Sequence, residues 1–172
     1  MSDDPQRSRL VTWVSPRVFM DAVRSGRFKS GLELLRAIQD GTLPAPPIAA
    51  LMGYGPATFE DGRAVFECVP QEFHYNPLGV VHGGLAATLL DTAMACAVHT
   101  RLPITVAYTT LELKVNFIRA ITVETGRVRA IGQAVHVGKR TAVAEGRLMD
   151  ADERLLAHAT TTCLLLEQAE PA

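Results

Sequence analysis

Residues 76–100 read NPLGVVHGGLAATLLDTAMACAVHT, and this stretch decides how the rest of the chain is read. A turn dipeptide, Asn76-Pro77, opens it, followed by Gly79, His82, Gly83 and Gly84. The run 85–98 is then almost wholly small or apolar, with Asp91 its one ionisable residue. A helix apolar nearly all round must be covered on more than one side. A carboxylate inside it is costly to bury unless something uses or satisfies it. Glycines at the helix start leave backbone N–H donors open to close approach. An acid in mid-helix and bare donors at a helix start are two parts of a site for carbonyl chemistry.

Working outward, the C-terminal side is strand-like. Residues 108–118 alternate, with Leu111, Leu113, Val115 and Phe117 on one face and Glu112, Lys114 and Asn116 on the other. Further strands are predicted over 123–134, 139–150 and 155–166, with turns at 119–122, 136–138 and 151–153. On the N-terminal side, 57–60 and 63–69 read as a hairpin around Asp61-Gly62. Strands on both sides of one buried helix predict an α+β fold with a single antiparallel sheet wrapped around that helix. A second copy of the chain is the simplest cover for the helix face the sheet leaves bare.

The first fifty residues differ. Residues 1–9 are polar and read as frayed. Ser15-Pro16 starts a helix carrying Val18, Phe19, Ala22 and Val23, which Gly26 breaks. Ser30 starts a second, with Leu32, Leu34, Leu35 and Ile38 apolar, ended by Gly41. The segment 42–47, TLPAPP, is a stiff connector, and a short helical turn follows at 48–52. The expected organisation is a helical extension with connector over 1–50, one domain over 51–167, and a tail at 168–172. The extension is expected to pack on the domain or close over its site.

The 172 residues, 48% apolar and 20% charged, suit one globular domain with an adequate core. A net charge of −1 gives no broad reason to expect nucleic acid or an anionic membrane as partner. Residues 1–40 hold seven Lys or Arg against five Asp or Glu, without a basic stripe. No apolar run reaches the roughly 18 residues needed to span a bilayer. The N-terminus has no charged-then-apolar leader pattern, so a cytoplasmic protein is expected. Cys68, Cys96 and Cys163 sit in apolar runs with no C-x-x-C pair and read as reduced, buried thiols. The five histidines show no metal-ligand spacing, so no metal is expected.

No Lys or Arg lies within nine residues of Asp91, so no local ion pair accounts for it. It is either satisfied by backbone or by hydroxyls such as Thr88 and Thr92, or it is a general base or nucleophile in a partly dry pocket. Gly83 and Gly84 make a tight turn or offer an N–H to a substrate carbonyl. His82 is a base, a ligand or a group that ties the loop. Asn76 caps the loop or orients a water or carbonyl. Thr109 or Thr110, at the start of the next strand, can position water. Asp91 lies seven residues after Gly84, hence on the same helix face but about 10 Å away along the axis. Reacting groups must come within about 3–3.5 Å. One helix is therefore too long to use both ends on one carbonyl, and two antiparallel copies, each placing its Asp91 by the other's Gly83, would form composite sites.

The loop NPLGVVHGG at 76–84, followed by Thr88-Leu89-Leu90-Asp91, resembles the loop and central helix of the PaaI-type hotdog-fold acyl-CoA thioesterases. The strand TLELKVNFIR at 110–119 and the closing AHATTT at 157–162 are similar to that family too. The resemblance spans roughly residues 50–167. It implies a hotdog fold, a homodimer often paired into a homotetramer, and metal-free, cofactor-free hydrolysis of acyl- or aryl-acyl-CoA thioesters. Carried over, Asp91 is the nucleophile or general base and the Gly83 N–H polarises the thioester carbonyl. Asn76 and His82 sit beside that carbonyl. Gly84 and Thr109 or Thr110 help hold substrate or water. Asn76 and Gly83 come from one subunit and Asp91 from the other. The chain departs from the pattern at Ala120, where the family carries Pro, and in its N-terminal extension. Two other readings stand beside hydrolysis: a non-catalytic acyl-CoA-binding or regulatory module, which has little need of Asp91, and a hotdog enoyl-CoA hydratase. The hydratase wants an Asp two residues before the Asn and a His soon after the Pro, where this chain has His74 and Gly79.

Overall fold

The computed structural model describes residues 7–167. Three short helices come first: α1 (Arg17–Arg24), α2 (Gly31–Gln39) and α3 (Pro47–Met52). A hairpin follows, β1 (Tyr54–Glu60) and β2 (Arg63–Cys68), then the long helix α4 (Gly83–His99). Four strands complete the chain: β3 (Val106–Phe117), β4 (Val128–Val137), β5 (Thr141–Met149) and β6 (Leu155–Glu167). All six strands form one antiparallel sheet in the order β1-β2-β4-β5-β6-β3, with α4 packed against it. This is the α+β hotdog architecture expected from the sequence. The polar residues 1–6 and the tail 168–172 lie outside the described residues.

α4 holds the sheet through Leu85, Leu89, Leu90, Met94 and Val98, all buried. Each such side chain contributes about 2 kcal/mol by leaving water. The sheet beneath is built of small residues, including Ala130, Gly132, Ala144, Gly146 and Ala159, so the helix sits close. Gly132 has no room for a side chain: a Cβ there would collide with the Ala93 carbonyl and lie 2.6 Å from Met94 N.

The helix starts at Gly83, so the two glycines form its first turn rather than the turn preceding it. The cause is a histidine cap: His82 Nδ1 accepts the Gly84 N–H at 2.8 Å, the service Ser or Asp usually performs. The strand expected over 123–134 begins only at Val128. Residues Val123–Thr125 form a single 3-10 turn instead, closed by Gly126 at φ +69. The same strand runs on through His136, expected in a turn, because an irregularity after Ala134 lets it keep pairing with β5. The even alternation expected in 108–118 is broken as well. Thr110 pairs with Cys163 and Glu112 with Thr162, leaving Leu111 as the extra residue of a bulge, 56% exposed. The buried Thr161 hydroxyl donates to Glu112 O at 2.7 Å and satisfies the carbonyl the bulge frees.

Of the N-terminal segment, Arg9 is anchored, contrary to the expectation of fraying. Its guanidinium donates to Ala50 O at 2.6 Å and Leu51 O at 2.9 Å and lies 4.2 Å over the Phe73 ring. α1 begins at Arg17 with Pro16 as its cap residue. α2 is capped by Ser30, whose hydroxyl accepts the Glu33 N–H. It docks on the end of α4: Gly31 N donates to Leu102 O at 2.9 Å, and Ile104 N to Lys29 O at 3.1 Å. Gly31 is packed so tightly on His99 that a Cβ would lie 2.6 Å from His99 Nε2.

Burial pushes His99 down to about 4 and also lowers buried His74. Both stay neutral in the folded chain at pH values where the unfolded chain, titrating near 6.5, takes up protons. The stability they require is fully present above about pH 6.5 and is lost as pH falls toward about 4. Urea unfolding followed between pH 7 and 4 is expected to show stability falling steadily across that window, and His99→Phe is expected to flatten the fall.

Candidate active site

The 71–84 loop is built by internal hydrogen bonds. Asn76 Oδ1 accepts Leu78 N at 2.9 Å and Val80 N at 3.4 Å, while Asn76 N donates to Val80 O. Gly79, at φ +80, makes the turn that β-carbon residues resist. Tyr75 bridges to Val81, and the Tyr75 hydroxyl accepts Val123 N at 2.9 Å. His82 N donates to His74 O at 2.8 Å. The His74 ring is itself fixed, accepting Gln71 N at Nδ1 and donating from Nε2 to Met52 O. The Asn76 carbonyl is thus spent on the loop, and its amide is the group left for a ligand. His82 spends Nδ1 on the helix cap and presents Nε2.

These bonds aim the helix start. Gly84 N is held by His82, whereas Gly83 N has no acceptor among the described residues. It points out of the positive end of a 17-residue helix. A Cβ on Gly83 would sit 3.0 Å from the Phe117 ring, so the glycine lets that ring close against the helix start. A pocket of about 230 Å³ opens beside it, lined among others by Val81, His82, Gly83, Phe117 and Arg119.

Asp91 is half-buried on α4, two turns further on. The Thr110 hydroxyl donates to its Oδ1 at 2.8 Å. Oδ2 receives no hydrogen bond from the described residues. Thr109 lies on the opposite, exposed face of β3, since neighbours in a strand alternate. The structure therefore brings together Asp91 with Thr110, and Asn76, His82, Gly83 and Gly84 with one another. Within one chain it keeps the two groups apart by the length of the intervening helix. The bulge at Leu111 is what turns Thr110 inward with Leu113 and Val115, and no periodicity signal marks it.

Sequence reasoning missed the second shell of Asp91. Tyr54, Cys96, Tyr108 and Cys163 all lie close enough to feel its charge. Cys68, Cys96 and Cys163 are free. Burial pushes Cys96 up to about 12 and Cys68 to about 11, so neither supplies a thiolate nucleophile at neutral pH. Among the described residues no group of three or more His, Cys, Asp or Glu is placed to hold a metal ion, and no helix is long and apolar enough to cross a membrane.

The sequence profile of the thioesterase superfamily matches residues 78–157, a segment holding the helix start, Asp91 and Thr110. The chain belongs to this superfamily, and its sheet around one helix is the family's hotdog fold. The chain is 30% identical over 97 residues to the 1,4-dihydroxy-2-naphthoyl-CoA hydrolase of Listeria monocytogenes, covering 56% of this chain and 77% of that protein. Among solved structures it is similar to a conserved protein of Pseudomonas aeruginosa, at TM-score 0.65 and 31% identity, covering 69% of this chain and 93% of that one. It is also similar to a phenylacetic acid degradation-related protein of Ralstonia eutropha JMP134, at TM-score 0.68 and 27% identity, covering 76% and 98%. Hydrolase and thioesterase names among these relatives place the chain with the hydrolases.

Proposed function

We propose that the protein hydrolyses acyl-CoA thioesters, including aryl-acyl-CoA, to free acid and CoA, without metal or cofactor, in the cytoplasm. The observation that carries this is the pairing of an unoccupied N–H at the start of α4 with a half-buried carboxylate on the same helix. The thioester carbonyl oxygen accepts from Gly83 N, with Asn76 and His82 beside it. Asp91 Oδ2 takes a proton from water as the water oxygen bonds to the carbonyl carbon. The tetrahedral oxyanion is held by the Gly83 N–H until the C–S bond breaks and the CoA sulfur takes up the proton. Direct attack by Asp91, giving an anhydride that water then opens, uses the same groups. In either course the Thr110 hydroxyl fixes Asp91 through Oδ1 and leaves Oδ2 to react.

Each catalytic centre in this reading is shared by two chains. Gly83 and Asp91 are eight residues apart, about 12 Å along the axis, so Asp91 of one subunit serves Gly83 of its partner. β3 supports such pairing: it is an edge strand of the sheet, twelve residues long, flanked by the exposed Leu111, Phe117 and Ile118. We read the assembly as a homodimer, with pairing into a homotetramer.

Thiol release over a panel of acyl- and aryl-acyl-CoA esters tests the activity. Hydrolysis of several members is expected, and release from none would leave a binding module as the better reading. In the same assay Thr110→Val is expected to lower kcat about tenfold with KM little changed, the worth of one hydrogen bond to a charged group.

A further inference from the structure

The outward stripe of α4 continues past Asp91 toward the helix C-terminus through Thr92, Cys96 and His99, all half-buried. Tyr54 from β1 flanks it on one side and Tyr108 from β3 on the other. The Tyr54 hydroxyl lies beside Thr92 and Cys96 and near Asp91, and the Tyr108 hydroxyl lies against the Cys96 thiol. The Tyr108 and His99 rings are 5.0 Å apart. Gly31 of α2 packs on His99 and closes the far end. Neither the core nor the reaction described above uses this run of hydrogen-bonding groups.

Tyr54 is the telling member. Its side chain is buried, only 6% exposed, and its hydroxyl is the one buried side-chain polar atom among the described residues with no hydrogen-bond partner. Its ring is well packed, edge-on to Phe66 at 5.7 Å. A phenylalanine would make that packing without leaving a buried hydroxyl unsatisfied, which costs free energy. The imidazole of His99 likewise has no hydrogen bond from the described residues.

We infer that this stripe receives the acyl part of the substrate and that the Tyr54 hydroxyl selects acyl groups carrying an uncharged oxygen substituent some distance from the thioester. The inference rests on the thioesterase reading and names its substrate class. Cys96 is five residues beyond Asp91 and His99 eight, so the polar groups lie about 7.5 to 12 Å from the acid along the helix axis. That reach fits a hydroxylated aryl or aryl-alkenyl group and is too short for a long alkyl chain. Burial holds both tyrosines as neutral phenols, which donate and accept. Burial also holds His99 uncharged at neutral pH, so the stripe offers no cation to an acidic acyl group. The acyl oxygen thus meets neutral partners, and a ligand lacking it leaves Tyr54 unsatisfied.

The test compares 4-hydroxycinnamoyl-CoA with cinnamoyl-CoA on wild type and Tyr54→Phe. Wild type is expected to favour the hydroxylated ester by about tenfold or more in kcat/KM, because a site built to hydrogen-bond a hydroxyl rejects the analogue without it. Tyr54→Phe is expected to bring the ratio close to one while its thermal stability equals or exceeds that of wild type. A wild-type ratio near one, or the same ratio in both proteins, overturns the inference. So does a Tyr54→Phe protein that is less stable with its ratio unchanged, since the hydroxyl would then be structural. If neither ester is turned over, the thioesterase reading fails separately, and the ratio of calorimetric Kd values for the two esters in both proteins decides the inference by the same criteria.

Discussion

Asp91→Asn is expected to lower kcat by about 10²–10⁴-fold while the protein folds and binds acyl-CoA as before. General-base assistance contributes on that scale, and the amide keeps the carboxylate's shape but cannot take the proton. Its Oδ1 can still accept from Thr110, so the local structure that bond maintains survives the change. Gly83→Pro is the complementary variant. Proline is tolerated at the first helical position and removes the N–H, which is worth about 10²–10³-fold when it serves as an oxyanion donor. Its ring must displace Phe117, whose ring would be 3.0 Å from the new Cβ. The two variants together test the shared site. In a mixed dimer, the Asp91→Asn chain keeps its Gly83 and the Gly83→Pro chain keeps its Asp91. One of the two sites is then whole, and co-expressed variants are expected to recover up to half the wild-type rate per mixed dimer. If each site lay within one chain, the mixed dimer would be as inactive as its parents. Unchanged turnover in Asp91→Asn would sink the mechanism itself.

The helix at the centre was legible because a single carboxylate in an apolar run is anomalous at any register, and the glycines fixed where the run begins. The sheet was legible in outline because β-period runs flank that helix on both sides. What the sequence concealed was decided by tertiary pairing. Thr109 and Thr110 are indistinguishable by composition, and an uninterrupted alternation would give Leu111 the inward face. Only pairing with β6, where Thr161 captures the carbonyl of Glu112, inserts the bulge and leaves Thr110 facing Asp91. Tyr54 was hidden for a related reason. It lies 37 positions before Asp91 in the chain, and nothing local links a tyrosine at the start of β1 to an acid on α4 until the sheet curls around the helix. The anchoring of Arg9 belongs to the same class: its acceptors, the carbonyls of Ala50 and Leu51, are 41 and 42 residues away. Chemistry carried by one continuous segment can be read from that segment, whereas chemistry assembled by wrapping requires the wrap.

The wrap depends on a position with no chemistry of its own. Gly132→Ala is expected to destabilise the fold by about 3 kcal/mol or more, enough to abolish activity at 37 °C in a domain of ordinary stability. The added methyl meets the Ala93 carbonyl and Met94 N, backbone atoms inside a helical turn that cannot rotate aside. Relief requires lifting α4 off the sheet, which opens gaps around Leu89, Leu90 and Met94 together. Gly146, paired with Gly132 on the next strand, makes the comparison informative. A methyl at Gly146 meets Met94 Cγ at 2.9 Å and Leu90 Cδ2 at 3.1 Å. Both belong to side chains that can re-pack, Met94 most easily, so Gly146→Ala is expected to cost about 1–2 kcal/mol. Denaturant unfolding of the two alanine variants should separate them clearly. Equal losses would mean that α4 is free to shift on the sheet. A helix free to shift could not hold Asp91 against Thr110, so Gly132→Ala protein that does fold is expected to lose kcat more than substrate affinity.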